Sequence, residues 1–176
     1  MAKSLSILFA FVVLCGLNCS AQSNLSLRDG VRKTYTAAIG VREKTGRNDG
    51  VAVEKYLSYV WLKSGNPWCA AFVSWTLGQN GIKKGRSGGC VQLMEQGKTI
   101  YKAGKIIRNP SFGDVFFIYF PEKKRVAHTG FVDQWEQTYI ITVEGNTNEA
   151  GSREGDGVYR KRRLKSQIYA VSSFID

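Results

Sequence analysis

The stretch "NPWCAAFVSW", residues 66–75, sets a cysteine between a tryptophan and two alanines in a run that is otherwise almost wholly apolar. Asn66 suits a helix cap and Pro67 the first helical position, where no amide donor is needed, so the spacing predicts a helix with Cys69 in its first turn. The pattern stays apolar on every side through Leu77 and stops at Gly78 or Gly81, which predicts burial against something extensive. Cys69 is then either one more small hydrophobe of a buried rod or a nucleophile presented at the rod's polar end.

Upstream of this helix, Leu27, Val31, Tyr35 and Ala38 recur at near-helical spacing over 26–39, and "GVREKTGRNDG" breaks the pattern with Gly46 and Gly50. A second helix is expected around Val53, Tyr56, Leu57 and Val60. Downstream, a short helix is expected at 92–103, after which the pattern turns to strands at 114–120, 127–134, 139–144, 157–164 and 170–175. Their short connections favour antiparallel neighbours. A helical first half and a stranded second half, with no linker or repeat between them, predict one α+β domain over 22–176.

The first 21 residues stand apart. Lys3 precedes an apolar run over 5–17 that is too short for an ordinary membrane span and reads as a secretory leader. Small residues at Cys19 and Ala21 place cleavage after Ala21, leaving a mature chain with no transmembrane segment, exported to the periplasm or the exterior. Lipid anchoring through Cys15 or Cys19 is disfavoured by the Leu14 and Asn18 that precede them. The 43% hydrophobic content and only three prolines exclude a disordered chain.

The net charge is +11, and the loss of Lys3 leaves 24 basic against 14 acidic residues. Such a surface seeks polyanions; for an exported chain these are anionic cell-envelope polymers or lipid head groups rather than nucleic acid, and a merely soluble basic surface accounts for the charge as well. The basic run "YRKRRLK", 159–165, reads foremost as an exposed strand with a solvated face. After the leader only Cys69 and Cys90 remain, so there is no disulfide framework; one bridge between the two would silence Cys69.

His128 is the single histidine. If strands 127–134 and 139–144 are joined by a turn centred on Glu136, paired residue numbers sum to 272 and His128 faces Glu144. Asn146 then points to the same face, diagonal to the ring, and competes with Glu144 for its nitrogen; a turn shifted by one residue spoils this pairing. Cys69 at a helix N-terminus beside His128 can become a thiolate, Glu144 or Asn146 can fix the imidazole tautomer, and the Cys69 N–H is a natural oxyanion donor. Spacing alone also fits a cysteine that fills core, a satisfied strand histidine and a turn at "EGN".

The segments "IGVREKTGRNDG", "WCAAFVSWTL", "GDVFFIYF", "AHTGFVD" and "ITVEGNTN" occur in this order across most of the mature chain. Together they resemble the CHAP domain, the cysteine, histidine-dependent amidohydrolases/peptidases of the NlpC-like branch of the papain-like fold. The resemblance implies helices packed on an antiparallel sheet of about five to six strands. It implies Cys69 as nucleophile, His128 as base and then acid, Glu144 as the orienting member and Asn146 as a further polar residue beside the histidine. The implied reaction is cleavage of amide bonds in peptidoglycan, between muramic acid and L-alanine or within the peptide stem or cross-bridge. No cofactor is implied. Some relatives hold calcium in an Asp-rich loop before the cysteine; "YVWLKSGNPW" has no acidic residue, so no metal is expected. Trp68 and Trp75 are candidates for a cleft wall, Trp75 more readily for the core. The same chemistry fits an amidase toxin against competitor walls, whereas a wall-binding module that has lost activity has no need of a thiol beside an imidazole.

Overall fold

The computed structural model describes residues 22–149 and 155–175; the leader assigned to 1–21 lies outside them. Four helices come first: α1 over 22–37, α2 Val51–Tyr59, α3 Cys69–Gln79 and α4 Cys90–Gln96. Seven strands follow: β1 Lys98–Lys102, β2 Lys105–Ile106, β3 Val115–Phe120, β4 Arg125–Trp135, β5 Tyr139–Thr147, β6 Gly157–Leu164 and β7 Ala170–Ser173. They form one sheet in the order β2-β1-β7-β3-β4-β5-β6, every pair antiparallel. This is an α+β, papain-like arrangement, with one strand more than the upper expectation of six.

Of the two additional strands, β1 comes from the segment expected to be a helix over 92–103 and β2 from the residues just after it. The helix ends at Gln96, because Gly97 adopts an extended conformation, and Thr99, Ile100 and Tyr101 favour a pleated strand. Ala103 and Gly104 both take positive φ, 47° and 87°, the geometry of a two-residue hairpin turn, so β1 folds back on β2 with Lys102 opposite Lys105.

Why the middle strand reads as an unbroken apolar run is answered by its position. In β3, "VFFIYF", Val115 and Phe117 join the large cluster under the helices, with Tyr35, Leu57, Phe72, Phe131 and Val143. Phe116 and Ile118 join the smaller cluster on the other face, with Ile100, Val132, Ile140 and Val171. A strand covered on both faces has no polar side to alternate with.

α3 is the rod predicted from its sequence: eight of its eleven residues are buried, and it packs between α2 and the β4–β5 pair. Gly145 permits that approach, because a Cβ there would lie 2.7 Å from the Trp68 ring and 2.9 Å from Phe72 Cβ. The chain over 40–43 runs along the outer edge of β6, with Gly40 N–H donating to Val158 O and Val158 N–H to Val41 O. It caps an otherwise open sheet edge and brings Glu43 to the end of α3.

Ion pairs onto buried aspartates tie α1 to the sheet. Arg28 Nη1 donates to Asp114 Oδ1 at 3.0 Å, and Arg32 Nε to Asp133 Oδ1 at 2.8 Å. Tyr35 Oη also donates to Asp133, at 2.9 Å, and Arg160 Nη1 holds the second oxygen.

Candidate active site

Cys69 is the first residue of α3 and is 6% exposed. The predicted cap is not used: Asn66 Nδ2 instead donates to Lys63 O at 3.0 Å, and Trp68 occupies the cap position with no side-chain cap of its own. The polar group that meets this helix end comes from β5, where Asn146 Oδ1 accepts the Trp68 N–H at 3.0 Å. Trp68 is fully buried and donates its indole N–H to Glu43 Oε1 at 2.8 Å, so it does not wall a cleft; Trp75 is partly buried against Tyr56.

Asn146 is therefore not beside the histidine ring as alternation predicts. The β5–β6 ladder loses its regular register between Glu144 and Thr147, and Asn146 takes the left-handed conformation at φ 55°, one that asparagine tolerates better than most residues. Its Nδ2 donates to Asn48 Oδ1 at 2.9 Å and to Glu43 Oε1 at 3.4 Å, while Glu43 Oε2 accepts the Asn48 N–H at 2.8 Å. Glu43, Asn48, Asn146 and Trp68 thus form one lattice around the start of α3. The loop 43–48, read from sequence as a helix break and as part of a family-like segment but not as site residues, supplies half of it.

His128 and Glu144 do meet, but in a register different from the one expected. Phe131 pairs with Val143 and Val132 with Thr142, a sum of 274, whereas Gln134 pairs with Ile141 and Trp135 with Ile140, a sum of 275. The turn is centred between Gln137 and Thr138 rather than on Glu136. Carried through unbroken, that turn would put Phe131 opposite Glu144 and His128 on the other face of the sheet. A bulge at Asp133 takes up one residue and restores the parity. His128 then lies two positions along from the partner of Glu144, and Nε2 reaches Oε2 at 2.8 Å. Gly130 keeps the space between them open, since a Cβ there would lie 3.0 Å from Glu144 Cγ.

Glu144 is fully buried and accepts from three side chains. Besides His128, Thr142 Oγ1 donates to Oε1 at 2.5 Å, and Arg163 forks onto the carboxylate, Nε to Oε1 and Nη2 to Oε2, each at 2.6 Å. Burial opposes ionisation, yet the hydrogen bonds from Arg163 and His128 and their charges hold this carboxyl well below the usual carboxylate range. Arg163 is the residue that sequence reasoning missed. The run 159–165 is not one solvated face: Arg163 clasps Glu144, Arg160 clasps Asp133, and Arg162 stacks on the Tyr139 ring at 3.5 Å. Its signal was strand alternation, which puts 159, 161 and 163 on one side and 160 and 162 on the other.

With Nε2 engaged by Glu144, Nδ1 is the ring nitrogen left for Cys69. Burial pulls the His128 imidazolium down, but hydrogen bonds to Cys69 and Glu144 and their charges outweigh it and raise the ring to about 9. The Cys69 thiol is held well below its ordinary value, first by its hydrogen bond with the Cys90 thiol, against burial, then by His128 and the Ala70 N–H. The two shifts together describe a thiolate–imidazolium pair, whose protons leave as a coupled system. Cys69 and Cys90 are free thiols with their sulfurs 3.6 Å apart, so the conceivable bridge is open. Among the described residues no group of three or more His, Cys, Asp or Glu side chains converges as a metal site, and no helix is long and apolar enough to cross a membrane.

Residues 61–146 match the family of the CHAP domain, a module of the NlpC and papain-like class of cysteine peptidases and amidases. The matched span runs from just after α2 to Asn146, and so contains Cys69, His128, Glu144 and Asn146 but not Arg163, Glu43 or Asn48. No curated protein and no solved structure matches the chain.

Proposed function

We propose that this chain, whose residues 61–146 match the CHAP domain family, is an exported cysteine amidohydrolase or endopeptidase of the bacterial cell wall. The observation that carries the proposal is the single array Cys69, His128, Glu144, Arg163: a thiol at a helix N-terminus, an imidazole whose far nitrogen is held by a buried carboxylate, and a cation holding that carboxylate in turn.

In the proposed reaction the Cys69 thiolate attacks the amide carbonyl carbon. The oxyanion that forms sits at the first turn of α3, where backbone N–H groups have no partner within the helix. His128 gives its Nδ1 proton to the departing amine, leaving a thioester. It then takes a proton from water, which attacks the thioester and frees the thiol. Glu144 accepts the Nε2–H throughout, so the ring always presents Nδ1 to the reacting atoms. Asn146 has no part in these proton transfers; it fixes the start of α3.

The test uses purified sacculi incubated with the wild type and with Cys69→Ala under reducing conditions. New primary amines and fragments of defined mass are expected from the wild type only, and the fragment masses identify the bond cut. Equal release from both proteins, or none from either, sinks the hydrolase reading in favour of a wall-binding module. Lysis of foreign cells by material that leaves the producer's own sacculi intact would favour the toxin reading.

The ion pair sets the pH window. Attack needs Cys69 unprotonated and amine departure needs His128 protonated, so kcat/KM is expected to reach a plateau below the ordinary thiol range and to fall as pH rises through about 9. A rate that climbs with a midpoint at the usual cysteine value would contradict the pair. The effect on stability has the same sign: His128 stabilises the fold fully below its unfolded value of 6.5 and loses that contribution as pH rises through about 9.

Asn146→Gly keeps the left-handed backbone accessible and removes only the amide. The Trp68 N–H then loses its acceptor, and kcat is expected to fall about tenfold, the equivalent of ~1.4 kcal/mol of lost positioning, with the pH profile unchanged. Initial-rate assays across pH check this; a displaced alkaline limb would mean that Asn146 acts on the ring after all.

A further inference from the structure

Cys90 is buried, 6% exposed, and is not used by the reaction just described. It is the first residue of α4, as Cys69 is the first residue of α3, so two helices begin against each other with their leading sulfurs 3.6 Å apart. The placement is braced by α3 itself. Ser74 Oγ donates to Ser87 O at 2.8 Å and accepts the Ser87 N–H at 3.0 Å, and Ser87 Oγ accepts the Gly89 N–H at 3.0 Å. The Gly89 carbonyl then accepts the first hydrogen bond of α4, from Leu93 N–H at 2.9 Å. A loop stitched to the nucleophile's own helix, at Ser74, delivers a second thiol to its sulfur.

We propose that Cys90 is a positioning residue for the nucleophile: its S–H donates to the Cys69 sulfur and, with the imidazole and the Ala70 N–H, holds that sulfur as an aimed thiolate. This rests on the reading of Cys69 as the nucleophile. A thiol suits the place because both sulfurs are buried, and sulfur is a weak donor that fills space like a hydrophobe. No proton or electron passes through Cys90. Its hydrogen bond weakens as the Cys69 charge moves into the new C–S bond. While Cys69 is free the same contact holds the Cys90 proton in place, raised first by the hydrogen bond to Cys69 and then by burial, so Cys90 is a poor nucleophile beside it.

A donor to a thiolate has a signature that packing lacks: it raises the thiolate fraction and lowers the intrinsic nucleophilicity. The test is the rate of alkylation by iodoacetamide from pH 5 to 10 on the full chain, resolved by peptide mass so that each cysteine is read separately. In the wild type Cys69 is expected to react about 100-fold faster than Cys90 at pH 7. In Cys90→Ala the Cys69 midpoint is expected to rise by about one pH unit, giving roughly tenfold slower alkylation at pH 6 and equal or faster alkylation at pH 10. Cys90→Ser, which retains a donor, is expected to hold the wild-type midpoint within a few tenths of a unit.

An unmoved midpoint in Cys90→Ala, the same shift in Ser and Ala variants, or preferential alkylation of Cys90 in the wild type overturns the inference. Slowing at every pH also overturns it, since that reports packing. Should sacculi remain uncut while the midpoints behave as expected, the hydrolase reading fails and the role of Cys90 stands. Cut sacculi with unmoved midpoints leave the hydrolase reading intact and remove the role of Cys90.

Discussion

Replacing Arg163 by methionine is expected to lower kcat/KM on the order of 100-fold and to destabilise the fold by about 3–5 kcal/mol, although the residue touches neither the nucleophile nor the imidazole. Methionine fills much of the same volume without charge, leaving Glu144 buried with His128 and Thr142 as its remaining side-chain partners. The carboxyl then ionises less readily. In the wild type Glu144 contributes stability above its unfolded value of 4.5 and loses it only as pH falls through a much lower folded value, so acid unfolding should begin at higher pH in the variant. Acid titration followed by circular dichroism reads this shift. Arg163→Lys keeps the charge but loses the fork and should fall between the two. Combined with Glu144→Gln, which needs no cation, the Arg163→Met cost should be far from additive. An acid transition unchanged in Arg163→Met would show that the cation does not hold the carboxylate.

Asp133→Ala is expected to cost a comparable amount, about 3–5 kcal/mol. It removes the common acceptor of Tyr35, Arg32 and Arg160, none of whose bonds to it is local in sequence, and it strands the phenol of Tyr35 in the core. That phenol is pushed far above its ordinary value, by burial first and then by the Asp133 charge, so it is a fixed donor that must find an acceptor. For a domain of this size the melting temperature should drop on the order of 10 °C. Tyr35→Phe, which removes the donor as well as its need, should lose only about 1–2 kcal/mol. Thermal melts of the two variants decide the matter, and equal losses would mean that the carboxylate is not the hub of the cluster.

The helix of Cys69 was legible because its apolar pattern leaves no solvent face, and eight buried residues agree with it. What closes its N-terminus was not legible, because a local rule pointed to Asn66 while the acceptor stands 78 residues beyond Trp68, at Asn146. The meeting of His128 with Glu144 depended on parity more than on register. The expected sum of 272 was two too low, an even error that leaves both side chains on one face, and it is even only because the Asp133 bulge offsets the shifted turn. Bulges of this kind are set by tertiary demands on the bulged residue, here three donors from other elements on one buried carboxylate, which a two-strand argument does not see. The β1–β2 hairpin was hidden for another reason: Ala103 takes a left-handed conformation normally announced by glycine or asparagine. Arg163 was obscured by its neighbours, since a run of basic residues suggests one exposed face until strand alternation divides it between two.

The bonds of α1 also bear on when the fold can close. Arg28, near the beginning of the described chain, is held by Asp114, 86 residues later, and by Ser173, 145 residues later. During synthesis this helix emerges well before the two partners that hold it. Until then these contacts between α1 and the sheet cannot form. Closure of α1 onto the sheet thus waits until β7 has been made, which makes it a late event in time as well as a non-local one in space.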